Sequence, residues 1–166
     1  MTTADPLYND WIHEQLRVQP DSLAIHDLTD SRAFTWRQFN DRVDALAQGL
    51  CNEGIKMGDR IAYLGLNSSD VVEIFFATVR IGAVYVPLNF RLTPLELSFI
   101  IEDCAPSGLF YDQSFQSVVD EIDSTVIPNL IIASALDGTD SAYEDLVSGS
   151  STAVAPAAAI ADTLSM

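Results

Sequence analysis

The clearest run of apolar and polar positions lies between Trp36 and Glu53. Phe39, Val43, Leu46, Ala47 and Leu50 recur at spacings of three and four, which sets them in one stripe along a helix. Thr35 and Gln38 have the T-x-x-Q spacing of a capping box, with Phe34 and Phe39 at the positions of a hydrophobic staple. Gly54 is placed to close the helix in a left-handed conformation, with Ile55 folding back on Leu50.

A second pattern follows at once. IAYLG (Ile61 to Gly65) is a short apolar run of the length of a strand buried on both faces. Asn67, Ser68 or Ser69 can cap a helix behind it. Asp70 and Arg80 suit the positive and negative ends of that helix, and Gly82 can close it. AVYVP (Ala83 to Pro87) returns as a strand that Pro87 is expected to stop, since proline cannot donate to a ladder. Two strands joined through a helix lie parallel with a right-handed crossover. One long buried helix over 70–86 is the competing reading, disfavoured by Gly82 and the β-branched residues after it.

On the N-terminal side, Asn9 or Asp10 can cap a helix with Trp11, Ile12 and Leu16 as its apolar positions, ending near Pro20. Leu23 to Asp27 and Arg32 to Thr35 then read as a turned pair of short strands, with His26 facing solvent. On the C-terminal side, Thr93 and Glu96 form a second capping box, with Pro94 at the first helical position and Leu92 and Leu97 as its staple. This helix stops before Pro106. A strand at Gly108 to Asp112, a short helix with Phe115, Val118, Val119 and Ile122 on one face, and a strand at Asn129 to Ala133 follow. Ser141 and Glu144 have the spacing of a third capping box, opening a helix that Gly149 is expected to end. Strand and helix alternate, so the fold class is α/β, with a mostly parallel sheet and flanking helices. Residues 1–149 carry this pattern; 150–161 are rich in Ala, Pro and Ser and read as a linker; 162–166 read as the start of another strand.

Composition narrows the function. Asp+Glu number 24 against Lys+Arg 8, a formal charge of −16. That balance excludes a nucleic-acid footprint and an anionic membrane surface as partners, and favours solubility. The most apolar run, IFFATVRIGAVYV, is broken by Arg80 and is shorter than the roughly 20 residues of a membrane span. The N-terminus lacks the basic and apolar regions of a signal peptide, so a cytoplasmic location is expected. Cys51 and Cys104 stand alone and read as two buried thiols; no spacing of Cys or His suggests a metal.

Three stretches together resemble the N-terminal part of the AMP-forming acyl-CoA synthetases, an adenylate-forming family that includes firefly luciferase and peptide-synthetase adenylation domains. They are FTWRQF (Phe34 to Phe39), GIKMGDRIAYLGLNSSD (Gly54 to Asp70) and RIGAVYVPLNFRLTPLEL (Arg80 to Leu97). The resemblance covers roughly residues 8 to 166. It implies an incomplete N-terminal portion of the family's large domain. It also implies a complete enzyme that activates a carboxylic acid with ATP and Mg²⁺ and then passes the acyl group to CoA. Asn89 and Phe90 after Pro87-Leu88 are similar to the fatty-acid and aromatic-acid CoA ligases.

Acid activation needs donors around the phosphates, a cation, and a positioned Lys or Arg. The chain carries no GxxxxGK(S/T) and no GxGxxG loop, and its one lysine, Lys56, falls in an expected surface turn. By resemblance, the phosphate loop and the catalytic lysine of the family lie beyond Met166. The expectation is therefore a fragment that holds no catalytic residue and is inactive alone. The alternative is a non-catalytic interaction module pairing with a chain that carries the ATP site. A third reading is a doubly wound nucleotide-binding domain that works by itself. The first two expect an exposed apolar face around residues 61 to 88, where the remainder would pack, or self-association. Asn89 and Arg91 follow a strand's C-terminal end, where α/β folds place ligand contacts. Arg91 can pair with a CoA phosphate, as the resemblance implies, or with a neighbouring carboxylate such as Glu96. Asp59 and Arg60 read as structural, closing the turn into the strand.

Overall fold

The computed structural model describes residues 11–135 and 141–148. The helix α1 (Trp11–Val18) leads to an antiparallel pair, β1 (Leu23–His26) and β2 (Ala33–Thr35). Then come α2 (Trp36–Asn52), β3 (Arg60–Leu64), α3 (Ser69–Arg80), β4 (Val84–Leu88), α4 (Pro94–Cys104) and β5 (Gly108–Asp112). A 3-10 turn (Gln113–Phe115) runs into α5 (Gln116–Asp120), followed by β6 (Leu130–Ser134) and α6 (Ala142–Val147). Asn9, Asp10, Gly149 and the 150–161 and 162–166 segments lie outside the described residues.

Both long capping boxes form as their spacing demands. The Thr35 hydroxyl accepts the Gln38 N–H while Gln38 accepts the Thr35 N–H; Thr93 and Glu96 do the same. Two helices end in full Schellman closures. At the end of α2, the Gly54 N–H bonds the Cys51 carbonyl and the Ile55 N–H the Leu50 carbonyl, both at 3.0 Å, with Gly54 at φ 88°. At the end of α3, Gly82 and Ala83 bond Val79 and Thr78 in the same way, and a single helix over 70–86 does not form.

β3, β4, β5 and β6 make one parallel sheet in the order β4-β3-β5-β6. Alternate residues of β3 enter two cores: Ile61 and Tyr63 join the cluster built with α2, α3 and α6, and Ala62 and Leu64 join the one built with α4 and α5. The right-handed crossover rule accounts for the division. The chain steps one way from β3 to β4 and back past β3 to β5, so α3 and α4 must cover opposite faces.

Three expectations need correction, and a fourth is refined. Pro87 does not stop its strand, because β4 is an edge strand and its register runs on to Leu88 against Leu64. Within residues 61 to 88, where an exposed apolar face was expected, Ile61 to Leu64 of β3 are buried, with a strand on each side and helices on both faces. The exposed apolar side chains of that stretch are Leu66, Phe75 and Val84, and on α4 Leu95 and Phe99 are exposed as well. The cysteines are not both buried: Cys51 lies on the outer side of α2 and is exposed, and Cys104 is half-buried at the end of α4. Glu144 completes only half of its box. Its N–H bonds the Ser141 hydroxyl, but its carboxylate is taken by arginines of other elements. Among the described residues, no helix is long and apolar enough to cross a membrane, and no cluster of metal-ligating side chains occurs.

Candidate functional site

The C-terminal ends of the parallel strands form the natural ligand-facing edge. The exits diverge there. β3 leaves toward the face covered by α3, while its neighbours β4 and β5 leave toward the face covered by α4 and α5. Two of these exits touch: the Phe90 ring, after β4, lies 5.8 Å from that of Phe115, after β5.

The exit of β4 holds both residues expected to face a ligand. Asn89 is exposed; its side-chain oxygen accepts the Arg91 N–H at 3.1 Å, and its carbonyl accepts the Leu92 N–H at 3.1 Å, so the loop is a tight turn. The Arg91 guanidinium is exposed and stacks 4.8 Å over the Phe90 ring. Glu96, the alternative partner, is committed to Thr93: its carboxylate accepts both the Thr93 N–H and hydroxyl at 2.8 Å, which hold it below the usual carboxylate range. The turn is built by local bonds, and Phe90 and Leu92 pack it against the core beneath α4 and α5, with Phe90 meeting Phe115.

The exit of β3 is packed closed. The Tyr63 hydroxyl donates to the Leu66 carbonyl at 2.9 Å. A Cβ on Gly65 would lie 2.5 Å from that hydroxyl and 2.8 Å from the Asp112 Cβ. Asp112, buried at the end of β5, accepts the Ser114 N–H at 2.8 Å and caps the turn that follows. Gly65 and Asp112 escaped the sequence reading, although a glycine and an aspartate at strand ends were visible there.

A charge network that the sequence reading also missed lies on the face covered by α2, α3 and α6. Arg42 of α2 reaches Glu73 of α3 at 2.6 Å and both oxygens of Glu144 of α6 at 2.7 and 3.0 Å. Arg32, before β2, pairs with Asp70 at 2.8 Å, with Asp30, and with Glu144 at 3.4 Å. The buried Tyr143 hydroxyl donates to Glu73 at 2.6 Å. Asp27 accepts the Ser69 N–H at 2.7 Å, tying the β1-β2 pair to the start of α3.

Burial pushes the Asp70 carboxyl up to about 6, with Arg32 opposing and Glu73 adding to the rise. Burial raises Glu73 too, against the pull of Arg42. For Asp27, burial acts upward but the Thr29 and Ser69 N–H groups outweigh it and hold the carboxyl low. A separate buried pair joins α2 and α3, Arg80 donating to Asp44 at 2.7 Å and to Asn40 at 3.3 Å. Arg80 lies in the last turn of α3, as expected, and its charge is met by a buried partner. The expected turn residues are structural: Asp59 accepts the Lys56 N–H at 2.7 Å, and Arg60 donates to the Ala105 carbonyl at 3.3 Å. Lys56 is exposed.

The family described as AMP-binding enzyme matches residues 12–162. The chain belongs to that family. A feruloyl-CoA synthase of Amycolatopsis sp is 34% identical over 139 residues, a match that covers 84% of this chain and 28% of that protein. The crystal structure of the anthranilate CoA ligase AuaEII in complex with anthranoyl-AMP aligns with a TM-score of 0.80 at 26% identity, over 94% of this chain and 30% of that one. ATP-bound MatB from Rhodopseudomonas palustris aligns with a TM-score of 0.73 at 28% identity, over 84% of this chain and 27% of that one. The chain thus spans less than a third of the length of these adenylate-forming relatives.

Proposed function

We propose that this chain is the N-terminal portion of an ATP-dependent carboxylic acid–CoA ligase. The complete enzyme forms an acyl-adenylate with ATP and Mg²⁺ and then a thioester with CoA. One observation carries this reading: the family match runs over residues 12–162, yet the chain spans only 28% of the feruloyl-CoA synthase and 30% of the anthranilate ligase it resembles. The role of the portion is architectural. It supplies a four-stranded parallel sheet with both faces covered, and strand ends against which a ligand site can be completed.

By itself the portion is inactive in this reading. Adenylation needs cations free to meet developing phosphate charge. Here Arg32, Arg37, Arg42 and Arg80 are engaged by carboxylates of the same chain. Arg91, stacked on Phe90 and open to solvent, is suited to an anionic group, and we assign it with Asn89 to the CoA side of the complete enzyme. A cytoplasmic setting goes with this reading, and the unpaired thiols of Cys51 and Cys104 suit a reducing compartment.

The test is pyrophosphate exchange with the purified 166-residue chain and a panel of aliphatic and aromatic acids. Background exchange is expected, and acyl-adenylate made by this chain alone refutes the reading. In a polypeptide that carries the remaining length of the relatives, Arg91→Met is expected to raise the KM for CoA while leaving exchange unchanged. Equal KM values refute the assignment of Arg91.

A further inference from the structure

The outer side of α4 carries an exposed apolar surface. Leu97 and Ile101 of this helix are buried against the sheet, while Leu95 and Phe99 are 81% and 71% exposed. With Glu102 they form a stripe at spacings of four and three, the signature of one helix face. This stripe is one wall of a groove of about 560 Å³, and the opposite wall is the turn carrying Glu121, Asp123 and Val126. The walls are fastened together: the Ser98 hydroxyl accepts the Asp123 N–H at 3.0 Å and donates to the Pro94 carbonyl at 2.8 Å.

The charge of the groove is one-sided. Glu102, Glu121 and Asp123 border it and are exposed, and among the described residues no Lys or Arg lines it. The β1-β2 side of the protein is different, since carboxylates there meet Arg32 and Arg42. An apolar floor with an acidic rim selects a partner that has apolar side chains between cationic ones. An anionic membrane is disfavoured by the same carboxylates. A second copy of this chain is disfavoured by its own charge of −16.

We propose that this groove docks an amphipathic helix of another protein, with two apolar side chains one turn apart against Leu95 and Phe99 and flanking Lys or Arg against Glu102, Glu121 and Asp123. Phe99 is the aromatic anchor, and the carboxylates set orientation and exclude acidic partners. The walls are already in place, so docking requires no rearrangement of the sheet.

The probe is a fluorescein-labelled 18-residue helical peptide with Leu and Phe four positions apart and Lys on both sides, titrated into the 166-residue chain and followed by anisotropy. Circular dichroism at the same salt concentration confirms that each variant is folded. Saturable one-to-one binding is expected, weakened at least tenfold by Leu95→Ser/Phe99→Ser and, independently, by Glu121→Lys/Asp123→Lys. A peptide with Glu in place of Lys is expected not to bind. Four outcomes overturn the proposal: no binding; equal binding of a peptide with scrambled apolar positions; binding that neither double substitution weakens; or a dimer in sedimentation that Leu95→Ser/Phe99→Ser dissolves, which makes a second copy the occupant. None of these outcomes bears on adenylation.

Discussion

Replacing Arg42 by methionine tests the view that α6 and α3 are held to α2 by a charge network. Methionine keeps the apolar stem of arginine but not the guanidinium, whose carbon lies 4.9 Å over the Phe34 ring. It removes three charge-assisted hydrogen bonds, one to Glu73 and two to Glu144. The two carboxylates then fare differently. Glu144 is 22% exposed and can be rehydrated, whereas Glu73 is 0% exposed and keeps only the Tyr143 hydroxyl. Removing one partner of a buried ion pair typically costs about 3–5 kcal/mol, most of it the penalty of the stranded charge. For a domain of this size that lowers Tm by roughly 10–20 °C. The stranded charge is the cause, so Glu73→Gln on the Arg42→Met background is expected to restore about 2 kcal/mol. The same Glu73→Gln change alone destabilises, because it weakens the bond to Arg42. Thermal unfolding of the four proteins, followed by circular dichroism at one pH and salt concentration, completes a double-mutant cycle. A loss below about 1 kcal/mol for Arg42→Met, or no recovery on adding Glu73→Gln, refutes the reasoning.

Four further outcomes follow, three from single residues and one from the net charge. The folded Asp70 carboxyl lies at about 6 and is therefore raised, so the folded state holds a proton there that the unfolded chain has lost; stability contributed by Asp70 falls by roughly 3 kcal/mol as pH rises from about 4 to 6.5, and Asp70→Asn is expected to flatten that slope in urea titrations. The low Asp27 carboxyl acts in the opposite sense, its stabilisation being lost as pH falls below the ordinary aspartate range, so Asp27→Asn is expected to reduce acid sensitivity below pH ~4. Gly65→Ala drives a methyl group into the Tyr63 hydroxyl and the Asp112 Cβ, and is expected to cost about 1–3 kcal/mol; an unchanged urea midpoint contradicts the closed packing at the end of β3. The formal charge of −16 is only weakly screened at low ionic strength, so Tm is expected to rise as KCl goes from 0.1 to 1 M, where the Debye length shrinks from about 10 to 3 Å; a falling Tm contradicts it.

Much of this fold was legible because its signals are local. Thr35 with Gln38, and Thr93 with Glu96, bond across three positions, so the sequence displays both partners of each cap together. Gly54 and Gly82 mark helix ends for the same reason, through a backbone conformation that side chains disfavour. Ser141 and Glu144 show the limit of such signals. Their spacing is that of a capping box, but Arg42, 102 positions away, competes for the Glu144 carboxylate and wins. The cysteines failed for a related reason: exposure depends on which elements come to cover a residue. At the candidate site, the exit of β4 was anticipated, and its turn around Asn89 is local. The closure of the β3 exit was not, because Asp112 reaches Gly65 only once β5 lies beside β3.

The order of elements, their caps, the parallel β3-α3-β4 unit and the family resemblance were determined by the chain's own pattern, since each rests on residues a few positions apart or on one continuous motif. The tertiary structure decided which charges meet. Arg42 with Glu73, Tyr143 with Glu73 and Arg42 with Glu144 are partners separated by 31, 70 and 102 positions. It also decided that, among the described residues, β4 ends the sheet while β3 lies inside it, and that α4 turns Leu95 and Phe99 outward. Periodicity shows that a helix has an apolar face and a strand two sides; only packing in three dimensions removes a given face from water or leaves it open to a partner.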